Sequence, residues 1–174
     1  MKITNFLALS ICLLFGSCTM QKSTVQVNDK GTEWEWNKGT IVVKTPERPA
    51  GQESVIGLAL PKMEVVRVGF VGLGMRGPGA VSRFTYIPGT QIVALCDYEK
   101  ERAEKCQKYL KEASLPKAAV YSGDKGYEEL CKRDDIDLVY IATDWLHHFP
   151  VAKCALENGK NVAIEVPSAM NLKE

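Results

Sequence analysis

Three glycines at the spacing GxGxxG follow a mostly apolar run, a pattern suited to holding a phosphate. Gly72, Gly74 and Gly77 come after VVRVGFV at residues 65–71. In such a turn the first glycine permits a tight bend, the second lets the backbone approach a pyrophosphate, and the third lets a helix pack closely on the strand. Pro78 is tolerated in the first turn of a helix, whose free amide groups then point at the phosphates. The spacing therefore predicts a dinucleotide-binding turn.

An acidic residue at a suitable distance strengthens this interpretation, because GxGxxG alone also occurs in glycine-rich turns without a ligand. Asp97 lies twenty residues after Gly77 and ends a second apolar run, QIVALC at residues 91–96. A carboxylate at this place can accept hydrogen bonds from the adenosine ribose, and it repels the extra phosphate of NADP. The pattern therefore favours NAD. Arg76 either contacts the cofactor or is solvated.

Polar side chains follow a third apolar run, IDLVYIA at residues 136–142. Ligands of an open sheet gather at the carboxyl ends of its strands. The residues expected to line the site there are Thr143, Asp144, Trp145, His147 and His148. Neighbouring histidines diverge and no third ligand has suitable spacing, so no metal is predicted. We expect one histidine beside the cofactor or hydrogen-bonded within the fold, and the other exposed.

A last apolar run brings Glu165, Val166 and Pro167 to the same edge, although these residues are equally typical of a strand followed by a proline turn. The predicted strands are residues 65–71, 91–96, 118–121, 136–142 and 161–166. Segments with helical spacing of apolar residues lie between them. Apolar strands alternating with amphipathic helices predict an α/β fold with a doubly wound parallel sheet, a Rossmann-type domain over residues 64–174.

The amino terminus has the pattern of an export signal. Residues 1–17 carry one lysine, an apolar segment and small residues, and they are too short for a permanent membrane span. Gly16, Ser17 and Cys18 resemble a lipobox, so we expect a lipidated Cys18 and a periplasmic or cell-envelope lipoprotein that meets the membrane only through its anchor. Phe15 stands where that motif prefers leucine, which leaves an ordinary signal peptide as the alternative.

Residues 18–63 are predicted to be a polar tether and an extension with one short strand at residues 40–44. Trp34 and Trp36 within it would either stack on a sugar or pack on their own domain. The whole chain has 22 Lys and Arg against 21 Asp and Glu without a basic cluster, which disfavours nucleic acid and suits a small neutral or anionic ligand. A homo-oligomer is compatible with this sequence.

The cysteines of the predicted domain match no metal pattern and lie in apolar surroundings. They are Cys96, Cys106, Cys131 and Cys154. We interpret them as small buried hydrophobes, while export would permit a disulfide.

Together these segments resemble the Gfo/Idh/MocA family of NAD(P)-dependent sugar oxidoreductases over residues 64–174. That family shows a TPxxxH segment, a helix ending in AALExGKHV, and then EKP. Thr143 and His148 match the first, CALENGKNV the second and EVP the third, without a gap. By match of position the resemblance puts Met75 and Arg76 against the pyrophosphate. It puts Trp145 to His148 and Glu165 to Val166 beside the nicotinamide.

Two departures from this pattern affect the implied chemistry. Asp144 replaces the proline, and Val166 replaces the lysine that serves typical members as a proton donor or acceptor. Valine cannot transfer a proton. RVGFVGLGMRGPGAV, IVALCD and TDWxxH are similar to glycoside hydrolase family 109, a branch typified by α-N-acetylgalactosaminidases.

The family 109 resemblance implies a glycoside substrate and a bound NAD that is used without net turnover. The sugar is first oxidised at C3, which acidifies the proton at C2. Loss of that proton expels the C1 leaving group. Water then adds, and the stored hydride returns to C3. This scheme needs no opposed pair of carboxylates. In the family the proton-transferring and sugar-binding residues come largely from a second domain, so we expect the catalytic residues beyond Glu174 and no glycosidase activity from this chain alone.

Two other functions stay open at this point. A secreted NAD-dependent sugar dehydrogenase of the wider family would produce net NADH from a free sugar or polyol. A noncatalytic nucleotide-binding lipoprotein would bind NAD without chemistry.

Overall fold

The computed structural model describes residues 26–27, 33–44, 50–51, 56–171 and 173–174. The chain divides into two compact units, Met1–Lys44 and Thr45–Glu174. The predicted leader at residues 1–17 and the predicted lipidation site Cys18 lie outside the described residues. Within the described ranges, no helix has both the length and the apolar character needed to cross a bilayer.

The first unit contains a small antiparallel sheet. Its strands, in the order β1-β2-β3, are β1 (Gln26–Val27), β2 (Glu33–Asn37) and β3 (Thr40–Val43). Lys38 and Gly39 join β2 to β3, both with positive φ (47° and 82°), which is the geometry of a two-residue hairpin turn. The sequence predicts only β3. The period of two in EWEWN places Trp34 and Trp36 on one face of the sheet. The register pairs Trp34 with Val43 and Trp36 with Ile41, and Trp34 is half-buried while Trp36 is exposed.

The second unit is built on a five-stranded sheet in which every pairing is parallel. The strand order is β6-β5-β4-β7-β8. The strands are β4 (Val66–Val71), β5 (Thr90–Asp97), β6 (Ala119–Ser122), β7 (Leu138–Ile141) and β8 (Asn161–Ile164). The helices are α1 (Gly77–Phe84), α2 (Lys100–Glu112), α3 (Gly126–Cys131) and α4 (Trp145–Glu157). This order and parallel pairing confirm the predicted doubly wound α/β class.

Apolar side chains cover both faces of the sheet, which explains why its strands read as nearly continuous apolar runs. Helices α1 and α2 pack on one face, where Ala103, Cys106 and Leu110 of α2 meet Val68 and Phe70 of β4. Helices α3 and α4 cover the other face. Their core there is formed by Leu130, Val139, Ile141, Val151 and Ala155, together with neighbouring side chains. The two layers hold the carboxyl ends of the strands in fixed positions.

At the amino ends of the strands, an ion pair joins β4 to the segment before β7. Arg67 donates from its backbone N and its Nε to Asp137 Oδ2 (2.8 and 2.9 Å) and from Nη2 to Oδ1 (2.6 Å). This hydrogen bonding lowers the pKa of the Asp137 carboxyl. The strand predicted at residues 136–142 is shorter in the structure, where β7 begins at Leu138 and ends at Ile141. Asp137 N and Ala142 N still bond β4, donating to Arg67 O (2.9 Å) and Val71 O (2.9 Å).

The cysteines of this unit are free thiols. Cys96, Cys106 and Cys131 are buried, as predicted, and Cys154 is half-buried. Burial raises the pKa of Cys96 and Cys131 to about 12 and that of Cys106 to about 11. All three therefore stay protonated at neutral pH.

Candidate functional site

A cleft of about 1270 Å³ lies at the carboxyl ends of the parallel strands. The strand order changes direction between β4 and β7, which is where open α/β sheets bind their ligands. Every residue predicted to bind the cofactor, except Gly77, lines this cleft. The structure therefore brings together residues that are spread over about a hundred positions of the chain.

The glycine turn is held by backbone packing. Gly72 has φ +90°, and a Cβ there would lie 2.5 Å from the carbonyl carbon of Ala142 and from the N of Thr143. Gly72 N donates to Cys96 O (2.9 Å). A Cβ on Gly77 would overlap Gly72 O. These two glycines are therefore required by the fold itself, whatever the cleft binds.

Gly74 has a different reason to be glycine. A Cβ there would meet only Arg102 Nη1, at an ordinary contact distance of 3.5 Å. The protein could accept a side chain at this position, yet the residue lines the cleft without one. A bare backbone facing a cleft is what a closely approaching ligand requires.

The start of α1 is open to an anion. Arg76 precedes the helix without capping it through its side chain, Pro78 occupies the first turn, and that turn contains no acidic residue. The unpaired amide groups and the helix dipole favour a negative group there. This helix start and the bare Gly74 fit the diphosphate of a dinucleotide.

Asp97 is buried, with 5% of its surface exposed, and its carboxylate binds the loops around it. Oδ2 accepts from Leu73 N (2.6 Å) and Oδ1 from Glu99 N (3.0 Å), while Arg102 Nη1 lies 3.7 Å from Oδ1. Asp97 thus fixes the glycine turn to the end of β5. Each carboxylate oxygen retains acceptor capacity, so the predicted bond to a ribose stays a prediction.

The segment after β7 presents polar and apolar side chains to the cleft. Asp144 caps α4, accepting from Leu146 N at Oδ1 (3.0 Å), and its Oδ2 lies 2.6 Å from His147 Nδ1. Burial alone would raise the pKa of Asp144, but hydrogen bonds from His147 and the backbone lower it. Thr143 Oγ1 donates to Asp144 O (3.0 Å), and Trp145 is exposed at the cleft wall.

The two histidines differ as the sequence predicts, with one held inside the fold and one exposed. His148 is 1% exposed, and its Nδ1 lies 2.7 Å from Pro167 O. Because a carbonyl oxygen only accepts, Nδ1 carries a proton and Nε2 is an acceptor in the neutral ring. Nε2 is buried and has no partner within the described part of the chain. His148 therefore joins α4 to the segment after β8.

The segment after β8 closes the far side of the cleft. Glu165 continues the sheet through its N, which donates to Ile141 O (3.0 Å), and its Oε1 accepts from Tyr140 Oη (2.8 Å). Val166 is 83% exposed in the cleft wall. The strand itself ends at Ile164, so Glu165 and Val166 belong to the loop beyond it.

Several cleft residues are not predicted from the sequence. They are Tyr98, Arg102, Asp124, Tyr127 and Met170. Tyr98 and Asp124 follow β5 and β6 at the same edge, so the rule applied to β7 would also have found them. Arg102 and Tyr127 lie within α2 and α3, where spacing alone carries no such signal. Among the residues the structure describes, no three His, Cys, Asp or Glu side chains are grouped to hold a metal ion.

Comparison with known proteins is consistent with this cleft. Residues 66–174 match the Gfo/Idh/MocA family, described as an oxidoreductase family with an NAD-binding Rossmann fold. The myo-inositol dehydrogenase of Lactobacillus casei, solved with NAD(H) and myo-inositol, superposes with a TM-score of 0.55 and 30% identity. The match covers 63% of this chain and 30% of that one.

Two curated relatives share more of the sequence. Glycosyl hydrolase family 109 protein 4 of Phocaeicola vulgatus is 76% identical over 99% of this chain and 34% of its own length. Glycosyl hydrolase family 109 protein 1 of Bacteroides thetaiotaomicron is 65% identical over 77% of this chain and 29% of its own length. The chain thus spans about a third of the length of these relatives. The match over residues 66–174 confirms the predicted NAD-binding domain, and the chain belongs to the Gfo/Idh/MocA oxidoreductase family.

Proposed function

We propose that this chain is the coenzyme-binding part of an NAD-dependent glycoside hydrolase of the family 109 type. The observation that carries the proposal is the 76% identity, over 99% of this chain, to a protein named for that family. The cleft supports it, because its glycine turn and helix start suit a diphosphate, and Trp145 and Val166 present exposed apolar surface at its wall. When bound, NAD would accept a hydride from the sugar ring and return it.

In this proposal different residues along the cleft contact different parts of the coenzyme. Gly74, Met75 and Arg76 hold the diphosphate at the start of α1. Asp97 holds the glycine turn and offers acceptor capacity to the ribose. Trp145 and Val166 exclude water beside the nicotinamide.

A glycoside with an N-acetylgalactosamine unit is the proposed substrate. The full-length protein carrying NAD should release p-nitrophenol from p-nitrophenyl α-N-acetylgalactosaminide without accumulating NADH. Release of p-nitrophenol is followed by absorbance, and NADH by fluorescence in the same sample. No release from this or related aryl glycosides would contradict the proposal. The chain of 174 residues alone should be inactive, which is tested beside it.

A sugar dehydrogenase is the second candidate, supported by the 30% identity to myo-inositol dehydrogenase. It would be favoured if the full-length protein accumulated NADH with a free sugar or polyol. NAD binding with neither reaction would favour the noncatalytic alternative. One set of assays thus separates all three functions.

We also propose that the protein is exported and anchored to the cell envelope through a lipid on Cys18, with residues 1–17 removed. The GSC sequence at residues 16–18 supports this. Metabolic labelling with an alkynyl fatty acid should label the wild type and leave a Cys18→Ser variant unlabelled. Equal labelling of both proteins would contradict the anchor.

A further inference from the structure

Asp144 and His147 form a carboxylate–imidazole pair on the wall of the cleft. The distance from Asp144 Oδ2 to His147 Nδ1 is 2.6 Å, and His147 N donates to Asp144 O (3.1 Å). The bond from Leu146 N to Oδ1 holds the carboxylate in place. Both side chains are about 60% exposed (62% and 60%) and line the cleft. The pair is therefore rigid on one side and accessible on the other.

The protonation of the pair follows from its geometry. An ionised carboxylate only accepts, so His147 Nδ1 carries a proton. In the neutral ring Nε2 then has a free lone pair, and in the charged ring Asp144 balances the imidazolium. Nε2 has no partner among the residues that the structure describes. The arrangement suits the acceptance and return of a proton.

Other titratable groups of the cleft are less suited to this task. Burial raises the pKa of Cys96 to about 12. Both oxygens of Asp97 accept backbone N–H bonds, and Glu165 accepts from Tyr140. Nε2 of His148 is enclosed.

The remaining charged and phenolic groups of the cleft are two arginines, one aspartate and two tyrosines. Arg76 and Arg102 are permanent cations, and Asp124 is an acid on the loop after β6. Burial raises the pKa of Tyr127, and Tyr98 is a phenol on the loop after β5. His147 thus combines an imidazole, a group able to accept and return a proton, with an accessible side chain.

His148 gives independent support for a polar ligand at this turn. Its side chain is 1% exposed and lines the cleft, yet Nε2 has no partner within the described ranges. A buried acceptor without a donor is costly unless a bound group or water satisfies it. The turn from residue 143 to 148 therefore holds a buried acceptor that a hydrogen-bond donor would stabilise.

We propose that Asp144 and His147 are an acid–base pair for a hydroxyl group of the bound sugar. The O–H bond breaks, its electron pair stays on oxygen, and the proton forms an N–H bond at His147 Nε2. Asp144 stays ionised and holds the imidazolium, which later returns the proton. This inference rests on the proposed function, because it requires a sugar in the cleft.

The test uses the full-length protein with NAD bound. His147→Gln keeps the size of the side chain and removes the titrating nitrogen. Asp144→Asn keeps an acceptor for the helix cap and removes the charge. Lys153→Gln, on the exposed ion pair of Lys153 with Glu157 in α4, is the surface control. Each variant is assayed for kcat across pH and for NADH affinity by fluorescence.

We expect His147→Gln to lower kcat about 100-fold or more and to remove the acid limb of the pH–rate profile, since general acid–base groups contribute about 10²–10⁴-fold. Asp144→Asn should lower kcat about tenfold. In both variants the loss of kcat should exceed any loss of NADH affinity, and added imidazole should partly restore a His147→Ala variant. Rescue by imidazole distinguishes proton transfer from a structural role.

The outcomes separate this inference from the proposed function. Wild-type kcat and an unchanged acid limb in His147→Gln would overturn the pair while leaving the glycosidase standing. A wild-type protein that oxidises sugars but hydrolyses none overturns the glycosidase, and the same variants then test the pair on oxidation. A wild-type protein with neither reaction overturns both.

Discussion

The turn between β4 and α1 and the turn between β7 and α4 lie side by side at the same edge of the sheet. Each leads from a buried strand into a helix, and Gly72 in one touches the backbone at residues 142–143 of the other. Their helix starts differ in charge. No side chain caps α1, and its first turn has no acid, whereas Asp144 caps α4. An anionic ligand is therefore attracted to α1 and repelled at α4.

This difference in capping corresponds to two uses of a helix amino terminus, one for binding a ligand and one for holding a side chain. At α1 the protein leaves its amide groups free and keeps the backbone bare, so that the ligand supplies the missing acceptors. At α4 the protein supplies its own acceptor and uses the second oxygen of the same carboxylate to hold His147. One turn is suited to binding and the other to chemistry.

The largest effect is expected inside the turn between β4 and α1. Gly77→Ala would force a methyl group into Gly72 O, so the free energy of unfolding should fall by about 3 kcal/mol or more. Urea denaturation of the full-length protein measures this. Gly79→Ala is the matched control, because a Cβ there meets only the flexible end of Arg83 at 3.4 Å. Equal urea midpoints for the two variants would refute the packing argument.

A large effect on binding is expected from Gly74→Val. The side chain would occupy cleft space that the protein leaves open, so the Kd for NADH should rise about 100-fold, equivalent to about 2.7 kcal/mol. Stability should change little, because only Arg102 is near. NADH fluorescence titration and a urea midpoint on one preparation separate these effects. A variant that bound NADH normally would show that the backbone at Gly74 is not approached.

Arg76→Asp would make the start of α1 resemble that of α4. A carboxylate there should repel the diphosphate and raise the Kd for NADH about tenfold, or about 1.4 kcal/mol. Arg76→Ser removes the cation without adding an anion and should show a smaller loss. Calorimetric titration of both variants gives the difference. Equal affinities would mean that charge at this helix start does not govern cofactor binding.

The smallest effect concerns the cap of α4. The pKa of Asp144 is lowered in the folded protein, so its stabilising effect is present above the carboxyl's unfolded pKa of about 3.9 and is lost as pH falls through the lower folded value. Urea midpoints measured from pH 6 downward should therefore fall more for wild type than for Asp144→Asn. Parallel curves would exclude a stabilising role for the ionised carboxylate.

Much of the second unit follows from local sequence signals. The strands of its sheet are predicted because apolar runs buried on both faces are continuous, and the glycine spacing locates the turn into α1. The cleft edge at β7 and β8 is predicted because parallel strands share their carboxyl ends. The strands of the first unit are harder to predict from the sequence, because β1 has only two residues and EWEWN mixes charged with aromatic side chains.

The contacts within the site depend on tertiary structure and could not be predicted. Spacing brings Asp97 to the glycine turn, but it does not reveal that the carboxylate bonds Leu73 N. Arg102 reaches Gly74 only because α2 packs beside α1. The bond from His148 to the Pro167 carbonyl joins segments nineteen residues apart. Each of these contacts depends on the conformation of loops that lie far apart in the sequence.

The buried thiols of Cys96, Cys106 and Cys131 can also be used to detect local unfolding of this domain. They lie in β5, α2 and α3, so both layers against the sheet contain at least one. An alkylating reagent reaches each thiol only when its surroundings open, and mass spectrometry can assign the modified site. Timed alkylation would therefore measure, without any engineered label, which layer separates first and how far bound coenzyme slows that separation.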